Sequence, residues 1–199
     1  MSNELCQSKT RENLMRALAG EALTCTRYKL AEQECRTKQL FVIANLFKFT
    51  AAQEKIHAGI FHGHLAKCKC ENVSISADYP CDCSSEPLGL LKESVDFERR
   101  ESDEVYPAFA RTAREEGFTD IARDFENIAA IERSHSGRLQ HYAALLENGK
   151  LFSSDCEEKW LCLNCGYIHE GCSAPETCPV CSQPQGWYIR LAETPWGLC

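Results

Sequence analysis

Four stretches of the chain place apolar residues three and four positions apart, the spacing of a helix that buries one face. The first stripe is Leu14, Leu18, Glu21, Cys25 and Tyr28, and the second is Ile43, Phe47, Thr50, Glu54, His57 and Phe61. The third is Leu91, Ser94, Glu98, Glu101, Val105 and Phe109, and the fourth is Ile121, Phe125, Ile128, Glu132, His135, Leu139 and Tyr142. The punctuation sets their limits. Thr10 is expected to cap a first helix running to about Arg36, and a second runs from about Lys38 to Ala66. A polar connection, Cys68 to Ser85, then leads to a third helix that begins at Ser85-Glu86-Pro87 and stops at Gly117. Thr119 is expected to cap a fourth helix that ends at Asn148-Gly149. Short connections after helices one and three, with a long one after helix two, predict an antiparallel four-helix bundle with one crossover. Pro107 falls inside the third helix, where it removes a backbone donor and should kink the helix or open a bulge near Asp103.

Beyond Gly149 the pattern changes. Residues 155–199 hold four of the seven prolines, seven of the 14 cysteines and all three tryptophans. The chain therefore divides into a helical domain, 1–149, and a small cysteine-rich domain, 150–199, that starts with a linker over Lys150 to Asp155. The net charge is −7 and there is no basic stripe, which argues against a nucleic-acid partner. No apolar run approaches the roughly 20 residues of a membrane span, and MSNELCQSKTREN lacks the apolar stretch of a signal peptide. Fourteen cysteines in 199 residues is the abnormal count. Without an export signal, they point to metal thiolates in a reducing cytoplasm rather than to a disulfide framework.

The carboxylates in the stripes carry the chemistry. A bare buried carboxylate is costly, and five of them would overwhelm a domain whose net stability is about 5–15 kcal/mol unless positive charge sits among them. One Glu from each of helices one and three, with Glu-x-x-His from helices two and four (Glu54/His57 and Glu132/His135), is the ligand set by which a bundle holds two iron or manganese ions. Glu and His three apart share a helix face, so both reach one cation pair. Glu101 adds a fifth carboxylate, and five negative charges nearly offset two divalent cations. His62, His64 and His141 fall outside the pattern, and His169 takes no special role. In the small domain, Cys162-Leu-Asn-Cys165 and Cys178-Pro-Val-Cys181 stand twelve residues apart. This is the spacing of a tetrahedral four-thiolate site, for which zinc and iron are both suitable.

Several motifs occur together in order: Glu21 followed by Tyr28, Glu54-Lys-Ile-His57-Ala, Glu98-x-x-Glu101 followed by Tyr106-Pro107, and Ala113-Arg-Glu-Glu-Gly-Phe118. Glu132-x-x-His135 and Cys-x-x-Cys-Gly-Tyr with Cys-Pro-x-Cys complete the set. In this combination the chain resembles the rubrerythrin family over nearly its whole length. The resemblance implies a ferritin-like bundle with a non-haem di-iron site, followed by a rubredoxin-like domain with an Fe(Cys)4 centre, in which recombinant material can carry zinc. It implies reduction of hydrogen peroxide to water in defence against oxidative stress. The electrons would come from NAD(P)H through a reductase or rubredoxin, in a head-to-tail homodimer.

By likeness, Glu54 and Glu132 bridge the irons, Glu21 and Glu98 are terminal ligands, and His135 holds one iron. His57 and Glu101 alternate on the other. Tyr28 and Tyr106 are hydrogen-bond donors beside the site or ordinary core tyrosines. Two other readings are open: ferrous iron oxidation or storage in the same fold, and a zinc-ribbon interaction protein. Cys68-Lys-Cys70 and Cys81-Asp-Cys83 depart from the family pattern. They are read as free loop thiols ahead of a third metal site or disulfides. Cys6, Cys25, Cys35, Cys156, Cys172 and Cys199 have no assigned role.

Overall fold

The computed structural model describes residues 2–68, 72–81 and 84–194. A short helix, α1 (Ser2–Leu5), precedes α2 (Lys9–Thr37) and α3 (Phe41–Ala66). The third bundle helix is built in three pieces: α4 (Pro87–Arg100), a π-helical turn (Glu101–Val105) and α5 (Tyr106–Glu115). The last bundle helix is α6 (Thr119–Glu147). The bulge expected from Pro107 is this π turn. Pro107 has no N–H for the Asp103 carbonyl, and the Tyr106 N–H instead reaches back five residues to the Glu101 carbonyl.

The helix ends differ from expectation in their caps. Ser8, not Thr10, caps α2, with its Oγ accepting from the Arg11 N–H at 3.1 Å. Thr10 is already inside the helix, where its N–H donates to Glu116 Oε2 at 2.8 Å while the Lys9 N–H donates to Glu116 Oε1 at 2.9 Å. A carboxylate from the end of another helix thus closes the positive end of α2. The α3 helix begins at Phe41 rather than Lys38, and neither Ser85 nor Thr119 caps, because Glu86 and Phe118 hold those positions without a side-chain cap bond. Gly117 and Gly149 end α5 and α6 at φ of 83° and 65°, as their places in the sequence predict.

Two apolar clusters fill the bundle, one toward each end. One gathers around Tyr28, Ile43, Phe47, Leu91 and Leu139, the other around Leu14, Phe61, Tyr106, Phe125 and Ile128. The charged members of the four stripes lie in the sequence between these two sets.

Beyond α6 the expected linker is shorter, because strand β1 (Ser153–Cys162) starts within it. With β2 (Ile168–Ser173) and β3 (Tyr188–Arg190) it forms an antiparallel sheet in the order β2-β1-β3. Trp160 pairs with His169 on one side and Arg190 on the other, over a small core of Trp160, Cys162, Ala174, Cys178 and Tyr188. This sheet packs on the start of α3. Trp187 stacks on Phe41 with ring centroids 4.4 Å apart, and Ile189 joins the nearer bundle cluster. Gly186 makes that approach possible, since a Cβ there would lie 1.7 Å from the Gln39 carbonyl oxygen. Among the described residues, no helix is long and apolar enough to cross a membrane.

Candidate metal centres

The bundle brings Glu21 from α2, Glu54 and His57 from α3, Glu98 from α4, and Glu132 and His135 from α6 to one buried place. All four of these carboxylates are fully buried, and the two imidazoles nearly so. Their ligand atoms form two overlapping groups, Glu21-Glu54-His57-Glu132 and Glu54-Glu98-Glu132-His135, each within 4.8 Å. Glu54 and Glu132 belong to both. Glu101, where the π turn begins, differs: it is buried but stands outside both groups, with Oε1 3.4 Å from the Tyr106 hydroxyl.

The atoms crowd without pairing. His135 Nδ1 lies 2.7 Å from Glu132 Oε2 and 2.9 Å from Glu54 Oε1, and His57 Nδ1 lies 2.9 Å from Glu132 Oε1. Yet Glu21 Oε2, Glu54 Oε1, Glu98 Oε2, both oxygens of Glu132, and His135 Nδ1 have no hydrogen-bond partner among the described residues. Orphaned buried polar atoms are rare and costly. Five side chains that each leave a converging lone pair without a hydrogen-bond partner fit cations, and two overlapping groups fit two of them.

The protonation states say the same. Burial pushes the Glu21, Glu98 and Glu101 carboxyls well above the usual range, and neighbouring carboxylates add to it. Burial would also raise Glu54 and depress the imidazoles, but here the opposite charges win. The two histidines hold Glu54 low, while the carboxylates raise His57 to about 12 and His135 to about 11. Without metal, protons on the buried carboxyls and imidazoles take the place of positive charge in the site.

Hydrogen bonds behind the ligand atoms fix the set. Tyr28 donates to Glu98 Oε1 and Tyr106 to Glu21 Oε1. Both rings are buried, so each hydroxyl faces a carboxylate and not solvent. Gln53, which carries no signal in the helical stripe, lies with Oε1 3.1 Å from His135 Nε2. The arrangement leaves Nδ1 of that ring facing the carboxylates. Its only mark in the sequence is its place immediately before Glu54. His64 pairs instead with Asp124 at 2.7 Å and His141 with Glu193 at 3.0 Å, while His62 is exposed.

The four small-domain thiols also converge. Cys162 Sγ and Cys181 Sγ are 3.8 Å apart, Cys165 Sγ and Cys178 Sγ 3.7 Å, and all four lie within 4.8 Å of one another. A tetrahedron with metal–sulfur bonds of about 2.3 Å has edges of about 3.8 Å, so the thiols stand where one ion would hold them. Of the loop pairs, Cys68 is buried and Cys81 exposed, whereas Cys70, Cys83 and also Cys199 lie outside the described residues. Cys6, for which the sequence suggests no role, is disulfide-bonded.

Comparison with known proteins agrees with this geometry. Residues 12–143 match the rubrerythrin family profile, and residues 160–188 match that of the rubrerythrin rubredoxin-like domain. The chain is 39% identical over 188 residues to a rubrerythrin of Clostridium perfringens, covering 94% of this chain and 96% of that one. Fully reduced, all-ferrous nigerythrin superposes with a TM-score of 0.61 at 29% identity, covering 95% of this chain and 92% of that one. The bacterioferritin of Desulfovibrio desulfuricans shares the fold, with a TM-score of 0.66 at 21% identity over 74% of this chain and 85% of that one.

Proposed function

The chain belongs to the rubrerythrin family of oxidoreductases, with a di-iron bundle and a rubredoxin-like four-cysteine site, and we propose that it reduces hydrogen peroxide to water. The reaction consumes one peroxide, two protons and two electrons and yields two waters. The observation that carries this reading is the pair of overlapping ligand groups with Glu54 and Glu132 common to both. Two irons held by these groups would supply two electrons together, the chemistry that reduces the O–O bond without release of a radical.

The protein's own residues have distinct parts in this reading. Glu54 and Glu132, common to both groups, would be shared by the two metals, with Glu21, Glu98 and His135 completing the set as ligands to one metal each. His57 and Glu101 would alternate on the metal away from His135, a reading supported by a placement with His57 inside the cluster and Glu101 beside it. Tyr28 and Tyr106 orient the terminal carboxylates through their hydroxyls. The apolar clusters on either side keep bulk water away, so protons are held at defined atoms.

Cys162, Cys165, Cys178 and Cys181 would hold the iron through which the small domain passes electrons on, with rubredoxin or an NAD(P)H-dependent reductase as their source. Within one chain the two centres are far apart. The small domain packs on Phe41, and Glu54 lies thirteen residues further along α3, about 20 Å at 1.5 Å per residue. A head-to-tail homodimer shortens that path by bringing the partner's small domain to the bundle. Its support is the set of exposed apolar side chains on α2 and α3, Leu23, Leu30, Phe49 and Ile56. The thiolate chemistry suits a reducing cytoplasm.

Replacing Glu54 with Ala tests the assignment. Metal binding in the bundle and peroxide turnover are both expected to be lost, while the red colour of the thiolate iron remains. Full turnover without Glu54 would overturn it.

A further inference from the structure

The connection between α3 and α4 is anchored along α2 at three points. Arg11 Nη2 donates to the Asn72 carbonyl at 3.1 Å, Arg16 Nε to the Ser76 carbonyl at 3.0 Å, and the Tyr79 hydroxyl to the Arg16 carbonyl at 2.9 Å. The last bond carries the Tyr79 ring onto Gly20. A Cβ on Gly20 would lie 3.6 Å from Tyr79 Cε1 and 3.6 Å from Glu101 Oε1. The strap's ring and the bundle's carboxylate therefore approach the same side of α2 at Gly20.

Glu101 is held there loosely. Its Oε2 has no hydrogen-bond partner among the described residues, and its Oε1 has only the long 3.4 Å contact from Tyr106. A buried carboxylate with so few bonds is kept in place by its walls. Tyr79 is 37% exposed while Glu101 is 6% exposed, and both reach the same space beside Gly20, the ring from the solvent side of the bundle and the carboxylate from its interior.

We propose that Tyr79 is a positioning residue: clasped to Arg16, its ring walls the pocket beside Gly20 in which Glu101 rests and shields that side of the metal site from water. The inference rests on the reading of Glu101 as a ligand that alternates with His57.

The test uses the full-length protein with both centres loaded with iron and reduced, and follows the rate at which a ferrous chelator withdraws iron from the carboxylate site. Tyr79→Ala is expected to release iron at least about fourfold faster, the factor that losing one methylene's worth of apolar ring contact corresponds to. Tyr79→Phe keeps the ring, and water replaces its half-exposed hydroxyl bond, so release stays within about twofold of the unchanged chain. Gly20→Ala adds a methyl at ordinary contact distance from both groups and is expected to slow release. It keeps the test open should Tyr79→Ala fail to fold. The absorbance of the thiolate iron is expected to be the same in all variants, and thermal unfolding is expected to be unchanged in Tyr79→Phe and somewhat raised in Gly20→Ala, where a helix-interior glycine becomes alanine.

Release from Tyr79→Ala equal to that of the unchanged chain would overturn the proposal. So would Tyr79→Phe releasing as fast as Tyr79→Ala, or Gly20→Ala releasing faster than the unchanged chain. If the unchanged chain fails to bind two irons in the bundle, the proposed function itself falls, and the loading titration reads that separately.

Discussion

Gln53 Oε1 lies 3.1 Å from His135 Nε2, so a residue of α3 sets the ring orientation of a residue of α6. Arg138 Nη1, 3.4 Å from the same oxygen, holds the amide from the other side. Partners of this kind behind a ligating histidine typically account for about 10- to 100-fold in metal affinity. Gln53→Leu is therefore expected to weaken ferrous iron binding in the bundle by about that factor. Titration of metal-free protein checks this, with the thiolate iron absorbance as an internal control that stays unchanged.

Tyr106→Phe removes the hydroxyl that Glu21 Oε1 accepts from, in a pocket packed by Phe61 and Phe125. The ring contacts stay, so the loss isolates one buried polar partner. Denaturant unfolding of the metal-free protein is expected to show a cost of about 1–3 kcal/mol. With metal bound, Glu21 has a cation to face and the difference is expected to shrink.

Metal-free protein is expected to lose stability as pH rises. Glu21, Glu98 and Glu101 are raised above their ordinary 4.5, and His57 and His135 are raised from 6.5 to about 12 and about 11. For each, the contribution to stability is full below the unfolded-state value and is lost as pH climbs through the folded-state value. Glu54, held low, acts in the opposite direction: its contribution is present above 4.5 and is lost as pH falls. Melting temperatures of the metal-free chain should thus fall between about pH 5 and about pH 9. Metal binding displaces the site's protons, so affinity is expected to rise with pH and calorimetry in two buffers to register proton release.

The ligand carboxylates were legible because each interrupts an apolar stripe at helical spacing, where a solvated glutamate has no reason to be. Pro107 likewise announced the π turn. Gln53 was hidden because it sits off the stripe, where glutamine resembles any helix-surface residue, and only the fold brings His135 to it. The Ser8 cap was missed in favour of Thr10 because Glu116 recruits the Thr10 and Lys9 amides from more than a hundred residues away. The strap's hold on α2 and the stacking of Trp187 on Phe41 are tertiary contacts with no local period to betray them. Nor does spacing show that Glu101 stands aside from the cluster, since it falls on the same helical stripe as Glu98.

Rapid mixing of the fully reduced, iron-loaded protein with hydrogen peroxide and, separately, with dioxygen tests the functional claim most directly. The di-iron absorbance is expected to appear in a single turnover with one peroxide consumed per site, and to appear much more slowly with dioxygen. Faster oxidation by dioxygen than by peroxide would contradict the assignment and favour a ferrous iron oxidase.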